Sequence, residues 1–81
     1  MSQTASKINF SDLAISKVSI NDEMITAEIN DGRVVAIPLS WFPRLISATP
    51  EQRSTFEITP SGYGIHWPHI DEDISIKSFI S

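Results

Sequence analysis

The chain has 81 residues, 41% of them hydrophobic, and carries ten acidic against six basic side chains, which suits one small globular domain with a net charge of −4. It contains no cysteine, so disulfides, thiolate metal sites and a cysteine nucleophile are excluded, and a reducing, cytoplasmic setting is expected. The basic residues Lys7, Lys17, Arg33, Arg44, Arg53 and Lys77 are scattered, which argues against direct nucleic-acid binding, and no run approaches the roughly 18 apolar residues of a membrane span.

Residues 1–10 are polar and without period and read as a flexible tail, leaving 11–81 as the single domain. From Leu13 to Ile20 the chain is β-branched and partly alternating, and Asn21-Asp22 reads as a turn. Met24 to Asn30 alternates, with Ile25, Ala27 and Ile29 on one face and Thr26 and Glu28 facing away. Asp31-Gly32 suits a two-residue hairpin loop with positive φ at both positions. That loop pairs Ile29 with Val34 and Ala27 with Ala36.

Pro38 ends the third strand because it has no N–H to donate. Ser40 then reads as the cap of a short helix over Trp41–Ala48, with Pro43 in its first turn. Thr49-Pro50-Glu51-Gln52 carries the signature of a second helix start: a capping threonine, proline at the first position and glutamine three residues on. Phe56–Ile58 and Ile65–Trp67 read as strands about a turn at Pro60–Gly64. The tail, with Ile74, Ile76, Phe79 and Ile80, is expected to dock as a strand or a short helix. The expected fold is therefore α+β: a three-stranded antiparallel meander, a short helical segment, two further short strands and a C-terminal helical turn.

Several signatures fall in order along this pattern: Asp31-Gly32-Arg33, Pro38-Leu39, Trp41-Phe42-Pro43-Arg44-Leu45, Arg53, Gly64-Ile65-His66-Trp67-Pro68 and Ile70-Asp71-Glu72-Asp73-Ile74. Together they resemble a widespread bacterial family, the domain-of-unknown-function 2442 family, from about Ile15 to Ile80. The resemblance implies a small α+β domain with no established activity. Members of that family are found fused to a helix-turn-helix, or encoded beside another small protein in an arrangement similar to toxin–antitoxin pairs. The resemblance thus points towards a protein partner more than towards a reaction.

Chemistry-bearing residues are few. His66, Asp71 and Asp73 (with Glu72 between) form the one cluster able to supply imidazole and carboxylate ligands to a divalent ion, or an acid–base pair to a small enzyme. Against this stands a solvated acidic loop that pairs with arginine. His69 reads as a lone surface imidazole, Gly62-Tyr63-Gly64 as a turn and not a phosphate cradle, and no serine sits in a nucleophile-elbow context. No catalytic residue and no cofactor is assigned.

Trp41 and Trp67 read first as core. With Arg44, placed one helical turn from Trp41, and Arg53 they alternatively make an interaction surface. The competing structural reading buries Arg44 or Arg53 in a salt bridge to Asp71 or Asp73. The exposure of Arg44 discriminates between the two. An unpaired hairpin edge offers a further route to a partner, a second copy of the chain included. The reading that follows is a non-enzymatic protein-interaction module, the acidic member of a two-protein pair; the alternative is a small metal- or ligand-binding enzyme using His66, Asp71 and Asp73.

Overall fold

The computed structural model describes residues 12–80; the tail expected over residues 1–10 lies outside them. Two antiparallel three-stranded sheets make up the fold. The first is β1 (Ile15–Ile20), β2 (Met24–Ile29) and β3 (Val34–Pro38), and the second is β4 (Glu57–Ile58), β5 (Gly64–Trp67) and β6 (Glu72–Ser75), each in sequential order. Between them run a 3-10 turn (Leu39–Trp41) and two short helices, α1 (Pro43–Ile46) and α2 (Pro50–Ser54), and α3 (Lys77–Ile80) closes the chain. The expected α+β class is observed. Where two further short strands were expected there are three, because Glu72 and Asp73, poor strand formers, are carried into β6 by the burial of Ile74 beside them.

The first sheet departs from its expected register by one residue. β2 and β3 pair Ala27 with Val35 and Ile25 with Ile37, so Val34 and Ala36 point to solvent and Ile37 enters the core. The loop is longer than two residues. Gly32 N–H donates to the Ile29 carbonyl at 3.0 Å and Ile29 N–H to the Arg33 carbonyl at 2.9 Å, so Asn30 and Asp31 occupy a turn and Gly32 alone has positive φ (101°). A left-handed Asp31 would strain its backbone, whereas a three-residue loop concentrates the unusual conformation on the glycine.

Asn30 is itself engaged. Its side chain accepts from Ala14 N–H and donates to the Asp12 carbonyl, both at 3.0 Å, which ties the loop to the entry of β1. Asp31 accepts from the Arg33 backbone and guanidinium. The Arg33 N–H and then its charge hold the Asp31 carboxyl below its ordinary value.

β1 contains a bulge: Ile15 faces Ile29 while Lys17 faces Glu28, leaving Ser16 as the extra residue, its hydroxyl donating to the Glu28 carbonyl at 3.1 Å. The bulge shifts the alternation by one, so that Ile15 shares the inner face with Val18 and Ile20 despite the odd spacing. The turn at Asn21 is as expected, with its side chain accepting from the N–H groups of Glu23 and Met24 at 2.7 Å.

Both sheets close on one core. Ile25, Ala27, Ile29 and Ile37 face Leu39 and Leu45 and meet Ile65, Trp67 and Ile74 from the second sheet, with Ile76 and Phe79 below. One close contact fixes how the sheets meet: Ile15 N–H donates to the Gly62 carbonyl at 2.7 Å. Gly62 has φ 73°, and a Cβ added there would lie 2.6 Å from the Ala14 Cβ and 3.1 Å from the Ile15 backbone. Gly62→Ala is therefore expected to destabilise the fold by about 2–4 kcal/mol through left-handed strain and overlap, read as a lowered midpoint in urea unfolding with an unchanged slope.

The Asp31 turn makes a second prediction. A carboxyl with a lowered folded value contributes stability that is present above its ordinary value of 3.8 and is lost as pH falls through the lowered value. The unfolding free-energy difference between the wild type and Asp31→Asn should be flat above about pH 5 and shrink below about pH 4.

Candidate functional site

The helical segment does not form as one helix. Phe42 precedes Pro43, and the proline ring excludes the helical region for the residue before it; Phe42 accordingly sits at φ −126°, ψ 89°. The expected helix over Trp41–Ala48 is thus cut into the 3-10 turn and α1, with no side-chain cap from Ser40. The cut rotates Trp41 out of the apolar row it would have shared with Leu45. Leu45 is fully buried, whereas Trp41 is 60% exposed and Ile46 48% exposed. The capping box at Thr49 forms as expected, with Gln52 N–H donating to Thr49 Oγ1 and Gln52 Oε1 accepting from Thr49 N–H.

The two tryptophans part company. Trp67 is 0% exposed, packs against Phe56 with ring centroids 6.0 Å apart, and donates its indole N–H to the Arg53 carbonyl at 2.8 Å. Trp67 therefore leaves the expected interaction surface and belongs to the core.

Arg53 is also structural. Its side chain, 14% exposed, donates to the Ala48 carbonyl at 3.1 Å and meets Asp22 of the β1–β2 turn at 3.3 Å, and Nε has no partner among the described residues. The expected clamp to the tail is replaced by one to the opposite end of the first sheet.

Arg44 takes the other course. Its side chain is 61% exposed, and it donates one N–H to the main-chain carbonyl of Asp71 at 2.8 Å. The Asp71 carboxylate stands 3.7 Å away and is itself 94% exposed, so this is no buried salt bridge. Beside Arg44 lies an open cleft of about 290 Å³, lined also by Ser47, Ala48, Gln52, His69 and Ile70.

His66 and Asp73 are cross-strand partners on β5 and β6, and His66 Nδ1 lies 2.7 Å from Asp73 Oδ1. Asp71 does not join them. It occupies a left-handed turn position, φ 61°, between Trp67 and β6, and it belongs to Arg44. The trio expected as a metal or ligand site is thus divided. Among the described residues no group of three or more His, Asp or Glu side chains is placed to hold a metal ion.

The sequence marked Gln52 only as a capping residue and His69 only as a lone surface imidazole, and nothing in it joined them to Arg44 as a cleft. Ser47, Gln52 and His69 follow no shared period and come together only because α1, α2 and the β5–β6 turn converge.

Two small sheets bridged by short helices, with an outward tryptophan and arginine, define a small α+β domain. The chain belongs to the family described as protein of unknown function DUF2442, whose model matches residues 15–80. It is also similar to a protein of unknown function from Rhodospirillum rubrum ATCC 11170, known from its crystal structure. That likeness has a TM-score of 0.71 and 25% sequence identity and covers 83% of each chain. No curated protein matches the chain significantly.

The opposite fates of the tryptophans give a direct test. Trp67→Ala should cost about 3–5 kcal/mol, enough to unfold most of a domain this small. Trp41→Ala should stay within about 0.5 kcal/mol of the wild type in the same denaturant titration.

Proposed function

We propose that this domain is a non-enzymatic protein-interaction module whose contact surface is centred on Trp41 and Arg44. The observation that carries the reading is the 60% exposure of Trp41 in a domain that buries its other tryptophan completely. A large amphipathic ring held in water by a proline-enforced backbone is poorly explained by stability, whereas tryptophan and arginine anchor protein interfaces more often than other residues do.

Exposed Ile46 adds apolar area on the next element, and Arg44 retains N–H groups beyond the one given to Asp71. The partner that fits is a protein with an apolar pocket for the indole and a carboxylate or main-chain acceptor for the guanidinium. The net charge of −4 would favour a partner that is basic elsewhere on its surface, in the manner of a two-protein pair.

The test is affinity capture from native cells at native expression, using wild-type bait beside a Trp41→Ala, Arg44→Ala bait shown by circular dichroism to be folded. A stoichiometric protein held by the wild type and lost from the double variant is expected. A partner retained equally by both baits would place the interface elsewhere and overturn the assignment.

A further inference from the structure

Among the described residues no strand pairs with the outer edge of β3, and this edge differs from the other strand edges. Ile29 N–H donates to the Arg33 carbonyl and Leu39 N–H to the Glu23 carbonyl, so Arg33, Val35, Ile37 and Leu39 turn their peptide groups towards β2. Val34, Ala36 and Pro38 turn theirs away, and no described residue pairs with them. Val34 is 63% exposed and Ala36 is exposed beside it, so the edge is open to solvent.

The other edges are blunted. β1 is bulged at Ser16, carries Lys17, and already donates its Ile15 N–H to Gly62. β4 has only two residues, and β6 carries Glu72 and Asp73. Bulges, charges and short length are the usual means of preventing strand addition, and β3 has none of them across Val34-Val35-Ala36-Ile37.

We infer that β3 pairs antiparallel with β3 of a second copy, about a two-fold axis through Val35, forming a sheet continuous across both molecules. The outward groups of Val34 and Ala36 are complementary to themselves about a two-fold axis, which suits a second copy, and Pro38 sets the register. Centred on Val35, Val34 stands opposite Ala36 of the other copy, and each residue donates its outward N–H to the outward carbonyl of its opposite number. Pro38, which has no N–H, falls beyond this set, so its missing donor leaves no gap. A register centred on Ala36 would make as many bonds, but it places Pro38 opposite Val34 at both ends, leaves each Val34 carbonyl without a donor, and sets Ala36 against Ala36 at the centre.

The side chains agree with the main chain. Val34 covers the small Ala36 of the other copy on the outer face, and no charge within the paired stretch opposes a like charge. Arg33, the flanking cation, is already neutralised by Asp31 at 2.7 Å. The surface is separate from Trp41 and Arg44, so the two proposals stand or fall independently.

Sedimentation equilibrium of the full chain across roughly 1 μM to 1 mM, with amide hydrogen exchange at both ends of that range, tests the pairing. The expected result is a reversible monomer–dimer equilibrium in which the Val34 and Ala36 amides gain protection as the dimer fills. Ala36→Pro removes an amide that is outside the β2 ladder, and Val34→Lys places a charge at the seam without touching the backbone. Each should weaken the dimer by about tenfold or more while the unfolding midpoint holds.

A strict monomer throughout the range overturns the inference. So does a dimer insensitive to both variants, which would use another face. Val34 and Ala36 amides already protected in the dilute monomer would mean that a segment of the same chain occupies the edge, and would overturn it as well.

Discussion

The indole N–H of Trp67, given to the main-chain oxygen of Arg53 at 2.8 Å, is the contact on which the arrangement of this small domain depends. Trp67 sits at the end of β5, fully buried between the sheets. Its hydrogen bond fixes the last turn of α2, and the Arg53 side chain then reaches past Ala48 to Asp22 at the far turn of the first sheet. One residue pair thereby connects the second sheet, the helical segment and the first sheet. A chain of this length buries only a modest core, and an unpaired indole there would carry a desolvation penalty comparable to a sizeable share of the total stability.

With the core anchored in this way, the surface beside it is free to differ. Pro43 is the cause of that difference. By excluding the helical conformation at Phe42 it interrupts the segment between Trp41 and Leu45, so that one side of the break faces the core and the other faces water. An uninterrupted helix would have placed both residues on one stripe and hidden the tryptophan. The arginines divide similarly: Arg53, on α2, is mostly covered and held by the Ala48 carbonyl and the Asp22 carboxylate, while Arg44, on α1, stays exposed with Asp71 as its partner.

Much of the fold was legible in the residues. Alternation over Met24–Asn30, the turn at Asn21 and the capping box at Thr49 are local signals, and each formed as read. The hairpin at Asp31-Gly32 was legible as a hairpin but not in its register, because a three-residue loop with one left-handed glycine and a two-residue loop with two left-handed positions share the same residues. That single slip moved Ala36 and Val34 from the inner face to the outer one and Ile37 into the core. The strand β6 was obscured by its acidic residues, which disfavour strands locally and are overruled by the burial of Ile74. The candidate site was legible in part. Trp41 and Arg44 could be singled out by type, but their separation from Trp67 and Arg53 depends on long-range packing that no local pattern encodes. Asp71 was misplaced with His66 because a left-handed turn residue has no dependable signature outside glycine.

The junction at Ile15 and Gly62 has a consequence for how the chain reaches this structure. Each sheet is a meander of neighbouring strands whose turns close over short spans of sequence. The hydrogen bond from Ile15 to Gly62, in contrast, joins the start of the first meander to the middle of the second. Closing a short loop restricts the chain little, while bringing distant segments together demands that most of the intervening chain already be ordered. The geometry therefore assigns the two meanders to the early, locally driven part of folding and the docking of one on the other to its late, cooperative part. Gly62, whose bare Cα lets the backbones meet, is then a gate on assembly as much as a feature of the finished core.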